Sequence, residues 1–176
     1  MPSMEPRQIL RPVRSFWILL SFVCAFTLNF VPWDNRHLTF QPEFVLLLLL
    51  YWCIHLPGRV SIGSAFFCGI IMDIADANVF GQHALAYVLA CFLALQLRRR
   101  MLMHSLWQQS VHVFGILFLA QLCMVLTRLL GGAQFIGLGY FVAALTGALL
   151  WPALSHMMQV PQRLPTKARY ESGHAS

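Results

Sequence analysis

Apolar runs of nearly membrane length alternate with short polar breaks along this chain, and the pattern predicts six helices. The first spans residues 16–31 and ends at Pro32, Trp33, Asp34 and Asn35, residues suited to an interface. The second begins at Pro42, placed for the first helical turn, with Glu43 where the helix dipole favours an anion, and stops at Pro57-Gly58. At 1.5 Å per residue it rises only about 22 Å, less than the hydrocarbon thickness of about 30 Å. A third helix covers residues 60–75, before the turn-rich DANVFGQH, and a fourth covers 84–97 and closes on Arg98, Arg99 and Arg100. The fifth covers 106–130 and the sixth 135–158, with Trp151-Pro152 near its exit.

Small residues recur at four-residue spacing on three of these helices. Ser61, Ala65, Gly69 and Asp73 form one ridge that ends in a charge; Ala86, Ala90 and Ala94 form a second, and Gly139, Ala143 and Gly147 a third. Such ridges let another helix approach closely, either inside the bundle or from a partner. Gly81 lies in the turn that follows the third helix.

Composition changes the picture from helical to membrane-embedded. Of 176 residues, 59% are hydrophobic and 10% charged, and the mean hydropathy is +0.67, values that do not suit an ordinary soluble domain. The expected organisation is a basic segment over 1–15, a six-helix transmembrane domain over 16–158, and a basic, poorly ordered tail over 159–176. A basic start before an apolar run also describes a signal peptide, but no A-x-A pattern follows, so an uncleaved signal anchor is expected.

The net charge of +6 reads as topology and gives no reason to expect nucleic acid. With the N-terminus cytoplasmic, Arg7, Arg11, Arg14, Arg59, Arg98, Arg99, Arg100, Arg163, Lys167 and Arg169 fall inside, leaving Arg36 and Arg128 outside, ten against two of the 12 cationic residues. The positive-inside rule then places both termini in the cytoplasm of a multi-pass protein. Arg59, Arg98, Arg99 and Arg100 act first as topology anchors, and second as contacts for anionic membrane lipids or a cytoplasmic partner.

Candidate chemistry concentrates at the end of the third helix. Asp73 and Asp76 share a helical side, and paired carboxylates can bind cations, relay protons or act as acid and base. Burying an ionised Asp in hydrocarbon costs about 2.5–3.5 kcal/mol on insertion scales. The bland reading has Asp76 starting a turn and Asp73 capping or pairing structurally, with Arg128 as the expected ion-pair partner of Asp73 or Asp76. The 7 histidines have no metal-ligand spacing, and no nucleophile elbow, P-loop or dinucleotide fingerprint occurs, so no metal, cofactor or soluble-type enzyme is expected. His83 near Asp73 is the one combination an intramembrane enzyme could use. Gln108, Gln109, His112 and Gln121 on the fifth helix could line a polar path, although Gln108 and Gln109 suit helix-to-helix hydrogen bonds better. Cys24, Cys53, Cys68, Cys91 and Cys123 lie far apart in apolar segments and read as small hydrophobes, not a disulfide framework.

The order of several features resembles the rod-shape-determining membrane protein family MreD. They are Pro32-Trp33, Pro42, LLLLLYW through Trp52, Leu56-Pro57, Arg59-Val60, Gly63, Phe66, Gly69, Asp73, Gly81, Trp107-Gln108-Gln109 and Leu150-Trp151-Pro152, spread over residues 15–158. The resemblance implies a six-helix fold similar to the substrate-binding subunits of energy-coupling-factor transporters. It also implies a non-enzymatic inner-membrane scaffold of the bacterial elongation machinery (elongasome), supporting cell shape and lateral peptidoglycan synthesis alongside MreC, MreB, RodA and a penicillin-binding transpeptidase. Gly69, Asp73 and Gly81 match the family pattern; Asp76 and Glu43 do not. The shared fold leaves a solute-binding transporter subunit as the alternative, with Trp33, Asp73, His83 and Arg128 as candidate pocket residues.

Overall fold

The computed structural model describes residues 15–30, 41–76, 80–134 and 137–159. Six α-helices follow one another: α1 Ser15–Phe30, α2 Phe44–His55, α3 Ile62–Asp76, α4 Gln82–Met103, α5 Leu106–Leu130 and α6 Val142–Gln159, the last preceded by a 3-10 turn over Leu138–Phe141. No strand occurs among the described residues. The expected arginines of the N-terminal segment, Trp33, Arg36 and the basic residues of the tail lie outside the described residues.

α2 is the axis of the bundle. Its residues from Val45 to Ile54 are apolar on every side, so no face suits water, and all of them are buried. α1, α4 and α6 pack around it, α3 packs on α4, and α5 bridges α4 and α6. The outward faces remain apolar: Phe16, Phe67, Ile74, Val111, Phe118, Leu126 and Leu149 are all exposed. α5 and the stretch Gly139–Gln159 are long and apolar enough to cross a membrane, and α1 and α2 are shorter apolar helices.

Most of the three small-residue ridges are spent inside this bundle. Ala65, Gly69 and Asp73 are buried, Ala86, Ala90 and Ala94 are fully buried, and Ala143 and Gly147 turn inward while Gly139 is exposed. A Cβ on Gly147 would stand 2.8 Å from Leu117 of α5 and 3.6 Å from Leu47 of α2, so this glycine sets how closely α6 approaches both. Cys53 and Cys91 depart from the reading of the cysteines as isolated hydrophobes. α2 and α4 bring them face to face in the core, where they form a disulfide, while Cys24, Cys68 and Cys123 are free.

Helix boundaries differ from the expected ones where a neighbour supplies the cap. α2 starts at Phe44, two residues after Pro42, because Asn29 Oδ1 of α1 accepts the Phe44 N–H at 3.0 Å. Glu43 contributes its backbone carbonyl to Leu47 N–H at 2.9 Å, and its side chain caps nothing. At the other end of α2, Arg98 Nε donates to the Ile54 carbonyl at 2.6 Å. The arginine triplet therefore lies within α4, which runs on to Met103, and not after it. Arg99 and Arg100 are exposed beside it, and Arg59 Nη1 donates to Ser15 Oγ at 3.4 Å. Within the bundle Trp52 Nε1 donates to Ser21 Oγ at 3.1 Å, joining α2 to α1, and Trp151 Nε1 donates to Gln109 Oε1 at 3.2 Å, joining α6 to α5.

Asn29→Ala leaves the first amide of α2 without its acceptor and is expected to lower stability by about 1–3 kcal/mol. Reversible denaturant unfolding in detergent measures this. Thr27→Ala on the same helix serves as the control, since Thr27 Oγ1 bonds only to the Val23 carbonyl of its own helix, and it should change stability little.

Candidate functional site

Polar side chains and helix-end amides converge at the α3–α4 junction. Gly81 has φ +94°, a left-handed conformation that glycine adopts without strain, and this turns the chain so that the α4 N-terminus points back at α3. Asp73 meets it there, only 3% exposed. Its Oδ2 accepts from Gly81 N–H at 3.0 Å and Ala84 N–H at 3.2 Å, and its Oδ1 accepts from His83 N–H at 2.7 Å. A carboxylate on one helix thus satisfies amides that begin the next, where the helix dipole also favours negative charge. Gly69, one turn earlier on α3, makes the approach possible. A Cβ there would lie 2.4 Å from Ala84 Cα and 2.6 Å from its nitrogen.

His83 extends the constellation. Its Nδ1 lies 3.0 Å from Asp73 Oδ1 and its Nε2 lies 3.4 Å from Asp76 Oδ2. Asp73 is enclosed, whereas the Asp76 side chain is 41% exposed. The ring also stands edge-on to Tyr87, with centroids 5.9 Å apart. Chemically this is a carboxylate–imidazole–carboxylate row whose inner carboxylate is fully engaged in holding backbone. Its three backbone bonds leave Asp73 poorly placed as a base, and no group of three or more His, Cys, Asp or Glu that could hold a metal ion occurs among the described residues.

The expected ion pair from Arg128 to Asp73 or Asp76 is not formed. Asp73 is claimed by the α4 amides and His83, and Asp76 pairs with His83. The ridge Ser61, Ala65, Gly69 and Asp73 lies against α4, with Ser61 half-buried at its start, where its N–H donates to Ser64 Oγ. Gln109 joins α5 to α6 through Trp151, while Gln108 Oε1 accepts the Ser105 N–H at the start of α5. His112 bonds to the Gln108 carbonyl and Gln121 is buried.

Sequence reasoning missed Asn29 and Tyr87. Asn29 is a lone amide just before a helix end, four residues along from Ala25 on the inward face, and its polarity there was the available signal. Tyr87 stands four residues after His83, on the same face of α4.

A bundle of six helices with an apolar exterior, an all-apolar axis and helix ends closed by neighbouring side chains defines a membrane-associated α-helical protein without a catalytic motif of the kinds sought in the sequence. The family described as rod shape-determining protein MreD matches residues 11–163. A rod shape-determining protein MreD from Haemophilus influenzae is 30% identical over 148 residues, covering 84% of this chain and 91% of that protein. No solved structure matches. This chain belongs to the MreD family of rod shape-determining proteins.

Gly69→Ala forces α3 and α4 apart at backbone and is expected to cost about 1–3 kcal/mol. Gly63→Ala, with open space around the new Cβ, is expected to be neutral or to stabilise by about 0.5–1 kcal/mol. Unfolding of the two variants in the same detergent checks the contrast.

Proposed function

We propose that this protein is a non-enzymatic scaffold in the bacterial inner membrane, part of the complex that maintains rod shape during elongation. The observation that carries this reading is the family match, which extends over residues 11–163 and thus over all six helices. In this reading the six helices cross the membrane with both termini in the cytoplasm. Arg59, Arg98, Arg99 and Arg100 face the cytoplasm, and the Asp73 end faces outward. The flanking segments 1–15 and 159–176 extend from the helical domain into the cytoplasm. The fold is of the kind found in substrate-binding subunits of energy-coupling-factor transporters, put to use as a platform.

The geometry supports a platform in a specific way. Asp73 is occupied in fixing α4 to α3, and most of the close-packing ridges are turned inward. What faces outward is apolar helix surface, the kind of surface that a partner's transmembrane helix or lipid covers. MreC is the proposed direct partner in the membrane, with MreB, RodA and a penicillin-binding transpeptidase assembled through it in lateral wall synthesis.

Gentle extraction of the tagged protein from bacterial membranes should recover MreC and wall-synthesis enzymes. Asp73→Ala should weaken that recovery several-fold per molecule of tagged protein, because the α3–α4 surface loses its fixed geometry. Recovery of paired ATPases and a coupling membrane subunit in place of MreC would sink the scaffold reading in favour of a transporter subunit.

A further inference from the structure

The arginines around the C-terminal end of α4 are not used alike. Arg98 turns inward, its Nε donating to the Ile54 carbonyl of α2 at 2.6 Å, and Arg59 reaches Ser15 Oγ of α1. Arg99 and Arg100 are exposed and make no hydrogen bond or ion pair among the described residues. The described carboxylates, Glu43, Asp73 and Asp76, all lie at the other end of the bundle, before α2 and at the close of α3. Among the described residues, nothing at this end balances the two guanidiniums.

Helical register joins them to a longer feature. Leu85, Phe92, Gln96 and Met103 fall on one line along α4, Arg99 and Arg100 straddle that line, and all are exposed. The stripe is apolar at Leu85 and Phe92, turns polar at Gln96 and becomes cationic one turn later. At 1.5 Å per residue, Phe92 stands about 10 Å along the axis from Arg99, inside the depth of about 15 Å that one leaflet of hydrocarbon spans. α5 marks the same level. Only His104 and Ser105 separate the two helices, and Trp107 in the first turn of α5 is exposed, where an indole suits the membrane interface. A water-borne anion would leave Phe92 and Leu85 uncovered, and hydrocarbon alone would leave the guanidiniums unbalanced. The occupant that meets both carries hydrocarbon and negative charge together.

We propose that the outward stripe of α4 binds an acidic phospholipid of the phosphatidylglycerol class. The phosphate accepts from the Arg99 and Arg100 guanidiniums, the Gln96 amide donates to an ester or phosphate oxygen, and an acyl chain lies along Phe92 toward Leu85. Arg98 takes no part, because it is spent on the α2 carbonyl. The lipid thereby fixes the depth of the α4 C-terminal end in its leaflet. The proposal rests on the reading of the bundle as membrane-spanning, and not on its role as a scaffold.

The test titrates the purified full-length protein, in neutral detergent micelles, with phosphatidylglycerol and separately with phosphatidylcholine of the same acyl chains, reading the thermal unfolding midpoint. Phosphatidylglycerol should stabilise saturably, and the double variant Arg99→Gln with Arg100→Gln should raise its half-saturating mole fraction about tenfold or more, the scale set by two cations facing an acidic headgroup. Each single substitution should raise it about threefold, half of that effect on a logarithmic scale, and serves if the double variant does not fold. Lys167→Gln with Arg169→Gln removes the same charge from the tail and should leave it unchanged. Equal weakening by both pairs, which marks diffuse attraction to a basic chain, overturns the proposal, as does equal stabilisation by the two lipids. Glycerol phosphate, which lacks acyl chains, should give no saturable shift at the same concentration; a shift equal to that of the lipid overturns the proposal in favour of a soluble anion. Flotation with phosphatidylcholine vesicles checks the membrane reading separately. Protein that does not float removes that reading and the proposal with it, whereas protein that floats but shows no preference for the acidic lipid removes the proposal alone.

Discussion

The backbone groups at helix ends are the constraint on which this structure depends. α2 has 12 residues and rises about 18 Å. It is buried among the other helices from Val45 to Ile54, so water is scarce at its ends, and an orphaned amide or carbonyl there costs about 1–3 kcal/mol. The chain meets this by having other helices do the capping. Asn29 of α1 takes the first amide of α2, Arg98 of α4 takes a carbonyl in its last turn, and Asp73 of α3 takes three amides at the start of α4. Each cap doubles as a tie between helices, so local satisfaction and tertiary register are one event.

Much of this was legible in the chain, for reasons that differ by element. The fifth helix was bounded correctly at Leu106 and Leu130 because a capping serine and a glycine pair bracket an unbroken apolar run. α2 was expected to be short, since prolines flank it, but its true start depended on Asn29, 15 residues upstream. Spacing alone exposes no such pairing. The ridge ending at Asp73 was visible from small residues at every fourth position, and Gly69 meets α4 backbone as that pattern implies. The target of Asp73 was not visible. Arg128 was the natural guess by charge, yet three amides and His83 were nearer, because the left-handed turn at Gly81 folds the α4 N-terminus back onto α3. The Cys53–Cys91 disulfide was hidden for the same reason, their 38-residue separation carrying no signal until α2 and α4 are side by side.

Membership in a rod shape-determining family and this architecture fit together physically. Asp73, His83 and Asp76 would be an odd active site, because Asp73 spends its acceptor capacity on backbone, but they make a firm corner. Inward-facing ridges around an all-apolar α2 concentrate rigidity in the core and leave a plain apolar exterior. That exterior is the surface left for lipid or a neighbouring helix to cover.

Amide hydrogen exchange at the α3–α4 junction tests the central claim most directly. With Asp73 accepting from Gly81, His83 and Ala84, those three amides should be strongly protected in the native protein. In Asp73→Ala they should exchange many-fold faster, while amides in the middle of α5 keep their protection. Equal exchange at these three positions with and without the carboxylate would contradict the claim that one helix caps the next.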